Sequence, residues 1–470
     1  VGSPFRNIAQ LSLGDFAAKA LNFLAFVWLA RALGVREFGV LEFAHSLLMW
    51  FLLLGDGGLE LWATREAARP GDLRALVARV VPLRMLLATA SFVLLFLCLP
   101  ALPGGPRLQI VMALFGLSLF AQSASLKWVF MGREKMAAVA RTLVAGQVVF
   151  ALAVFALIRA PQHVIWVPLL RFAGDLGVAI GFARLFRREH GGLLLPYTFA
   201  GARLTLAPAL TLGLSQAMGL LNFNFDSILL GFLRGLRDVG FYNAAYKPVT
   251  MALQLPLTYF IGLFPALSRA YAENRGEFFA LVTRSFRLCA LFAVPLGVGG
   301  AMLAAPIIHL ILGADYADSV LPFSILVWSA VFVILRGSAR HGLNAAGRQA
   351  LDLRCALVSA GLNVALNILL IPRFGMLGSA CATVFADVVW FGASVFFFHR
   401  ALQPLPLLSI LARPVLAGAL MGAVLWYGEA WPWMARGALA TLVYFVALLA
   451  LGEPELRRFM IRGAVDTPQA

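Results

Sequence analysis

Apolar runs of about twenty residues, separated by short polar or charged breaks, recur along the whole chain. A helix needs roughly 20 such residues to cross about 30 Å of hydrocarbon. The runs fall near 11–33, 39–62, 80–101, 109–131, 137–158, 164–186, 204–233, 240–266, 281–305, 321–344, 354–371, 375–398, 409–427 and 435–451. This pattern predicts an all-α integral membrane protein with about 14 spans. The first run carries Asp15 and Lys19 and precedes many further spans, so it is expected to remain as a helix and not to be removed as a signal peptide.

A repeated motif organises the spans. Gly34-Val-Arg-Glu-Phe-Gly-Val-Leu-Glu-Phe-Ala44 and Gly235-Leu-Arg-Asp-Val-Gly-Phe-Tyr-Asn-Ala-Ala245 share G-x-R-acidic-apolar-G-x₄-A, 201 residues apart. The offset covers six spans, an even number, so both copies enter the membrane in the same direction. Two parallel six-helix lobes related by a pseudo-twofold axis along the membrane normal follow from that. The expected divisions are an N-terminal lobe over 1–186, a charged cytoplasmic linker over 187–203, a C-terminal lobe over 204–400, and two accessory helices with a cytoplasmic tail over 401–470.

Composition strengthens the membrane reading. Hydrophobic residues make up 61% of the chain and charged residues 13%, against about half and about a quarter in soluble domains. The net charge of +16 is concentrated in one alternate set of breaks, where Lys and Arg outnumber those of the other set roughly three to one. That bias places both termini in the cytoplasm and makes the charge a topology signal, not a nucleic-acid surface. The four cysteines share no C-x-x-C spacing and the six histidines form no ligand pair, so they read as packing residues and no metal site is expected. No G-x-S-x-G, P-loop or dinucleotide turn is present. A membrane glycosyltransferase or ligase would need a sizeable external loop to hold its sugar donor, and every external loop here is short.

Ionisable residues inside the spans carry the functional signal. Asp15, Lys19 and Asn22 fall on one helix face, Glu42 follows with His45, and Arg171 and Asp175 are spaced i, i+4 as an ion pair. Lys127, Asp226, Lys247, Arg336 and Asp387 complete the set. Each costs at least about 2.5–3.5 kcal/mol at mid-membrane, so each must face protein or a wet cavity. Any one of them reads equally well as a packing ion pair, but the set drawn from both halves exceeds what packing requires. Asp56 and Glu60 read either as a solvated helix end or as functional. Asn363 and Asn367 read as an interhelical hydrogen-bond pair, Gly177/Gly181 and Gly418/Gly422 as close helix packing, and Pro248 and Pro256 as a bend.

Several stretches carry a family resemblance: LARALGVREFG (29–39), Lys127-Trp-Val-Phe-Met-Gly-Arg-Glu-Lys-Met136, FDSILLGF to VGFYNAAYK (225–247), GLNAAGRQ (342–349) and NVALNILLIPRFGMLGSACAT (363–383). In this order and spacing the chain resembles the polysaccharide-export flippases of the multidrug/oligosaccharidyl-lipid/polysaccharide exporter superfamily. The resemblance implies alternating access by a monomer in the bacterial inner membrane, with a polyprenyl-diphosphate-linked oligosaccharide as substrate and other polysaccharide-assembly proteins and membrane lipids as partners. In that scheme Lys19, Lys127, Arg171, Lys247 and Arg336 neutralise the diphosphate. Asp15, Glu42, Asp175, Asp226 and Asp387 serve as ion pairs or take up a coupling H⁺ or Na⁺, with Asp226 first among them; no cofactor is implied. A peptidoglycan-precursor flippase and a drug/cation antiporter of the same superfamily are the alternatives.

Overall fold

The computed structural model describes residues 4–192, 198–199 and 201–456, with the side chains of 4–17, 215 and 218–223 outside the described set. Parts of the expected linker, the tail beyond 456 and the side chain of Asp15 therefore lie outside the described residues. Among the described residues the chain is helical throughout and eleven helices are long and apolar enough to cross a membrane.

The chain divides into two compact units, 1–243 and 244–470. The first contains α1 (Pro4–Asp56), α2 (Leu59–Ala68), α3 (Leu73–Cys98), α4 (Pro106–Ala124), α5 (Lys127–Gly132), α6 (Met136–Leu157), α7 (Trp166–His190), α8 (Ala202–Leu233) and the start of α9 (Leu236–Ala252). The second holds the rest of α9, then α10 (Gln254–Glu273), α11 (Arg275–Met302), α12 (Ala304–Leu312), α13 (Val320–Ala345), α14 (Gln349–Ala401), α15 (Leu407–Tyr427) and α16 (Trp433–Ala450). α1 and α14 each break at a glycine of positive φ, Gly34 and Gly375. Divided at those kinks, and with α8 included, the helices accommodate the fourteen expected passes.

α8 packs within the first unit. A Cβ at Gly58 would stand 2.1 Å from the Ala209 carbonyl, and one at Gly231 2.2 Å from the Phe43 ring.

The repeated motif has a physical explanation at both of its glycines. Gly34 and Gly235 take φ of 70° and 99°, a region that residues with a side chain rarely adopt. The second glycines, Gly39 and Gly240, let the two copies meet backbone to backbone. A Cβ at Gly39 would lie 1.8 Å from the Leu236 carbonyl oxygen, and one at Gly240 2.3 Å from that of Val35.

Smaller expectations also resolve. The bend expected from Pro248 and Pro256 appears as the break at Leu253 between α9 and α10. Gly418 packs against Val294 of α11 as anticipated, but a Cβ at Gly177 would meet nothing within 4 Å, so that glycine faces open space and not a neighbouring helix. Asn363 and Asn367 do not bridge helices: the Asn367 side-chain amide donates to both the carbonyl and the Oδ1 of Asn363, one turn back in α14.

Candidate functional site

In the first unit the site is assembled from α2 outward. Gly57 and Gly58, both at positive φ, turn the chain sharply after α1. The Asp56 carboxylate, left at the end of α1, accepts from the Glu60 backbone N–H at 3.2 Å and so closes the first turn of α2. This fixes two acids one turn apart at the head of a short helix. α5 is set against α2 by the residues that make its motif recognisable: Trp128, Val129 and Phe130 are buried, and a Cβ at Gly132 would meet the Thr64 carbonyl at 2.5 Å. That packing places Lys127 opposite Glu60.

Between the acids stands Arg84 of α3, with its side chain only 3% exposed. Its Nε donates to Asp56 Oδ1 at 3.0 Å, its Nη2 to Glu60 Oε2 at 3.3 Å and its Nη1 to the Ser125 carbonyl at 3.1 Å. The other Glu60 oxygen takes the Lys127 ammonium at 2.6 Å. Asp56 and Glu60 are therefore members of a partly buried ion chain centred on Arg84, not a solvated helix end.

The chain opens into a cavity of about 280 Å³ whose polar lining includes Glu60, Lys127, Gln122, Gln147, Arg171 and Asp175. Arg171 Nε pairs with Asp175 Oδ1 at 3.3 Å, the i, i+4 pair read from the sequence, and Gln122 donates to the other Asp175 oxygen at 3.2 Å. The Arg171 guanidinium also lies over the Phe150 ring, 5.8 Å from its centroid. Gln147 reaches Asn22 of α1 at 3.3 Å. Two cations and two carboxylates thus face one small polar space and neutralise one another.

In the second unit Arg336 of α13 is buried with its guanidinium 3.7 Å over the Trp390 ring, and it pairs with Asp387 of α14. Ser329 donates to the second oxygen of Asp387. One turn along α13 from Arg336, Arg340 pairs with Asp352 at 3.1 Å, and Asn344 donates to the same oxygen at 3.2 Å. These residues form a polar ladder on one face of α13.

The remaining expected residues are placed separately. Asp226 is buried and accepts from the Tyr242 hydroxyl at 2.7 Å across the α8–α9 hairpin, beside an Asn243 to Ser227 hydrogen bond of 3.0 Å. Glu42 is buried on α1, Lys19 is exposed on α1, and Lys247 is half-buried on α9. The structure therefore gathers Lys127, Arg171 and Asp175 in one cavity and joins Arg336 to Asp387. Arg84 was not among the expected residues. Its signal was present, a lone arginine inside the apolar run 80–101.

Comparison with known proteins places these features in a family. A profile of the polysaccharide biosynthesis protein family matches residues 5–271, and one of the lipid II flippase MurJ family matches residues 245–447. An uncharacterized membrane protein of Methanocaldococcus jannaschii is 28% identical over 38% of this chain and 36% of its own length. A putative O-antigen transporter of Escherichia coli K12 is 21% identical over 68% of this chain and 78% of its own. The chain thus spans about a third of the first relative and about four fifths of the second. Among solved structures, the inward closed conformation of the lipid II flippase MurJ superposes with a TM-score of 0.77 at 13% identity, covering 96% of this chain and 99% of that one, a likeness of fold.

Proposed function

Because the chain belongs to the polysaccharide biosynthesis protein family, we propose that it is a flippase that carries a polyprenyl-diphosphate-linked oligosaccharide across the bacterial inner membrane by alternating access. The observation that carries the reading is the cavity in which Lys127 and Arg171 are each held by a carboxylate, Glu60 and Asp175. Cations stored in this way are available to a stronger anion. A diphosphate offers more charge and more acceptor oxygens than a carboxylate, so it takes Lys127 and Arg171 from their resting partners. Asp175 is then left without a cation in a low-dielectric space, where an unpaired charge is costly, whereas Glu60 keeps Arg84. Asp175 takes up a proton or another small cation and gives it back when the substrate leaves and the resting pairs re-form. Substrate binding and ion uptake are coupled by a competition for the same two cations.

Arg84 has no such freedom. It is enclosed by Asp56, Glu60 and the Ser125 carbonyl, and its role is to hold Glu60 in reach of Lys127. Arg336 and Asp387 offer a second pair of the same type, and the Tyr242 to Asp226 bond a further carboxylate for ion uptake. In this reading both termini lie in the cytoplasm, as the charge bias of the breaks suggests, the lipid tail stays in the bilayer throughout, and sugar-assembly proteins supply and receive the substrate. The match of 245–447 to the MurJ profile favours a peptidoglycan precursor as the second reading, since its head group is also a polyprenyl diphosphate.

The test is flipping of a fluorescent polyprenyl-diphosphate oligosaccharide in proteoliposomes. Replacing Lys127 and Arg171 together by alanine lowers the rate at least about tenfold, as expected for the loss of charge-assisted hydrogen bonds. The double substitution Glu60→Gln with Asp175→Asn removes the dependence on a proton or sodium gradient. An undiminished rate in the first variant would refute the assignment of the cations. Mass spectrometry of the co-purifying lipid separates the two substrates by their sugars.

A further inference from the structure

Outside the polar cavity, α6 and α7 form a second depression open at the surface of the first unit. This groove has a volume of about 530 Å³, and much of its wall is glycine and alanine, including Ala145, Gly146, Ala173, Gly174 and Gly177. Large apolar side chains of the same two helices stand exposed beside it: Val149 at 60%, Leu152 at 62% and Ile180 at 41%. In a spanning helix pair such side chains face acyl chains. From Ala173 to Arg188 the groove follows α7 for about 22 Å at 1.5 Å per residue, a large part of a roughly 30 Å hydrocarbon core.

One end of the groove is basic. Arg141 at the start of α6, with Arg184 and Arg188 at the end of α7, line its mouth, and all three are exposed. Among the described residues no carboxylate stands within ion-pair distance of any of them; Glu189, next in the chain to Arg188, is taken by Lys135 at 2.7 Å. Arg141 does no more locally than donate its Nε to the Ala137 carbonyl at 3.2 Å. An open slot walled mostly by glycine and alanine and ending in three guanidinium groups matches a molecule with an apolar tail and an anionic head. Guanidinium groups bind phosphate oxygens in a fork geometry, and basic pockets between spanning helices hold anionic lipid head groups in this way.

We propose that the α6–α7 groove is a binding site for an anionic glycerophospholipid of the surrounding bilayer, with its phosphate held by Arg141, Arg184 and Arg188 and one acyl chain lying along Gly177 and Gly174. Such a lipid lies against the back wall of the polar cavity, because Gly146 and Gly174 line both spaces. The transported lipid is not the occupant: its head must reach Lys127 and Arg171, and the α6–α7 contact closes the groove from them. A Cβ at Gly146 would meet Val178 of α7 at 2.4 Å.

Native mass spectrometry of the purified full chain, titrated in detergent with dioleoyl phosphatidylglycerol or dioleoyl phosphatidylcholine, tests this. The parent protein retains the phosphatidylglycerol in preference to the phosphatidylcholine. Arg184→Ala with Arg188→Ala weakens that retention at least about tenfold. Gly177→Phe places a ring in the slot from a position whose Cβ has nothing within 4 Å, and weakens it as well. Gly361→Phe, at another open exposed glycine on α14, leaves it unchanged. Loss in the arginine variant with full retention in Gly177→Phe would mean undirected surface attraction and would overturn the groove. Displacement of phosphatidylglycerol by an equimolar polyprenyl diphosphate, with the same sensitivity to both variants, would overturn the choice of lipid.

Discussion

Arg84 is where the first unit is most sensitive to a single change. Its side chain is 3% exposed and serves three acceptors, Asp56 of α1, Glu60 of α2 and the carbonyl of Ser125 in the connection after α4. Removing one member of a buried ion pair costs about 3–5 kcal/mol because the other charge is left without a partner. In Arg84→Ala, Glu60 keeps Lys127 at 2.6 Å, while the Asp56 carboxylate, 18% exposed, keeps only the Glu60 backbone N–H. The expected loss is therefore at the low end, about 3 kcal/mol, or roughly a hundredfold in the folded-to-unfolded ratio. Arg84→Lys retains the charge, but a single ammonium cannot span three acceptors placed around a planar fork, and a loss of about 1–2 kcal/mol follows. The decisive measurement is a double-mutant cycle on unfolding in mixed micelles. Asp56→Asn combined with Arg84→Met is less destabilised than Arg84→Met alone, because the orphaned carboxylate is gone. An Arg84→Ala protein within about 0.5 kcal/mol of the parent would refute the claim that this arginine holds the acids in place.

Two further outcomes follow from packing and charge. Gly39→Ala puts a methyl group 1.8 Å from a backbone oxygen that has no side-chain freedom to move away, so a loss of about 1–3 kcal/mol or more is expected in the same unfolding assay, whereas Gly361→Ala, in open space, gains about 0.5–1 kcal/mol from helix propensity. Beyond the last span, burial pushes the Glu453 carboxyl above its ordinary value of 4.5, and Arg287 and Arg413 offset this only in part. The folded protein therefore binds that proton more tightly than the unfolded chain does. Its contribution to stability is fully present below pH 4.5 and is lost as pH rises through the folded value. Glu453→Gln should then raise the thermal midpoint at pH 8 and lose that advantage near pH 4.5; a lowered midpoint at pH 8 would show that the 3.8 Å pair with Arg413 outweighs burial.

The fold was legible because a membrane helix declares itself by length and hydropathy, and the turns between helices declare themselves by glycines that need positive φ, as at Gly34 and Gly235. Charged residues inside spans were legible for the same reason, since hydrocarbon makes them costly. Their partners were not. Arg171 and Asp175 could be paired from an i, i+4 spacing, but Arg336 and Asp387 lie 51 residues apart and Arg84 and Asp56 lie 28 apart. No local rule joins positions on different helices. The same limit explains Gly177: a G-x-x-x-G spacing identifies a smooth helix face without saying whether a helix or a lipid covers it.

The meeting of the two motif copies has a further meaning in terms of symmetry. Val35 and Leu236 occupy the same place in the motif, as do Gly39 and Gly240, and each copy offers its carbonyl to the glycine of the other. Reciprocity of this kind, in which one residue touches another and their counterparts touch in return, defines an isologous contact, the geometry by which two identical chains close a twofold dimer. Here one polypeptide supplies both partners. Two separate chains would have to carry the same side chains everywhere else, whereas this chain keeps the seam matched at two glycines and is free to place different charges around each copy.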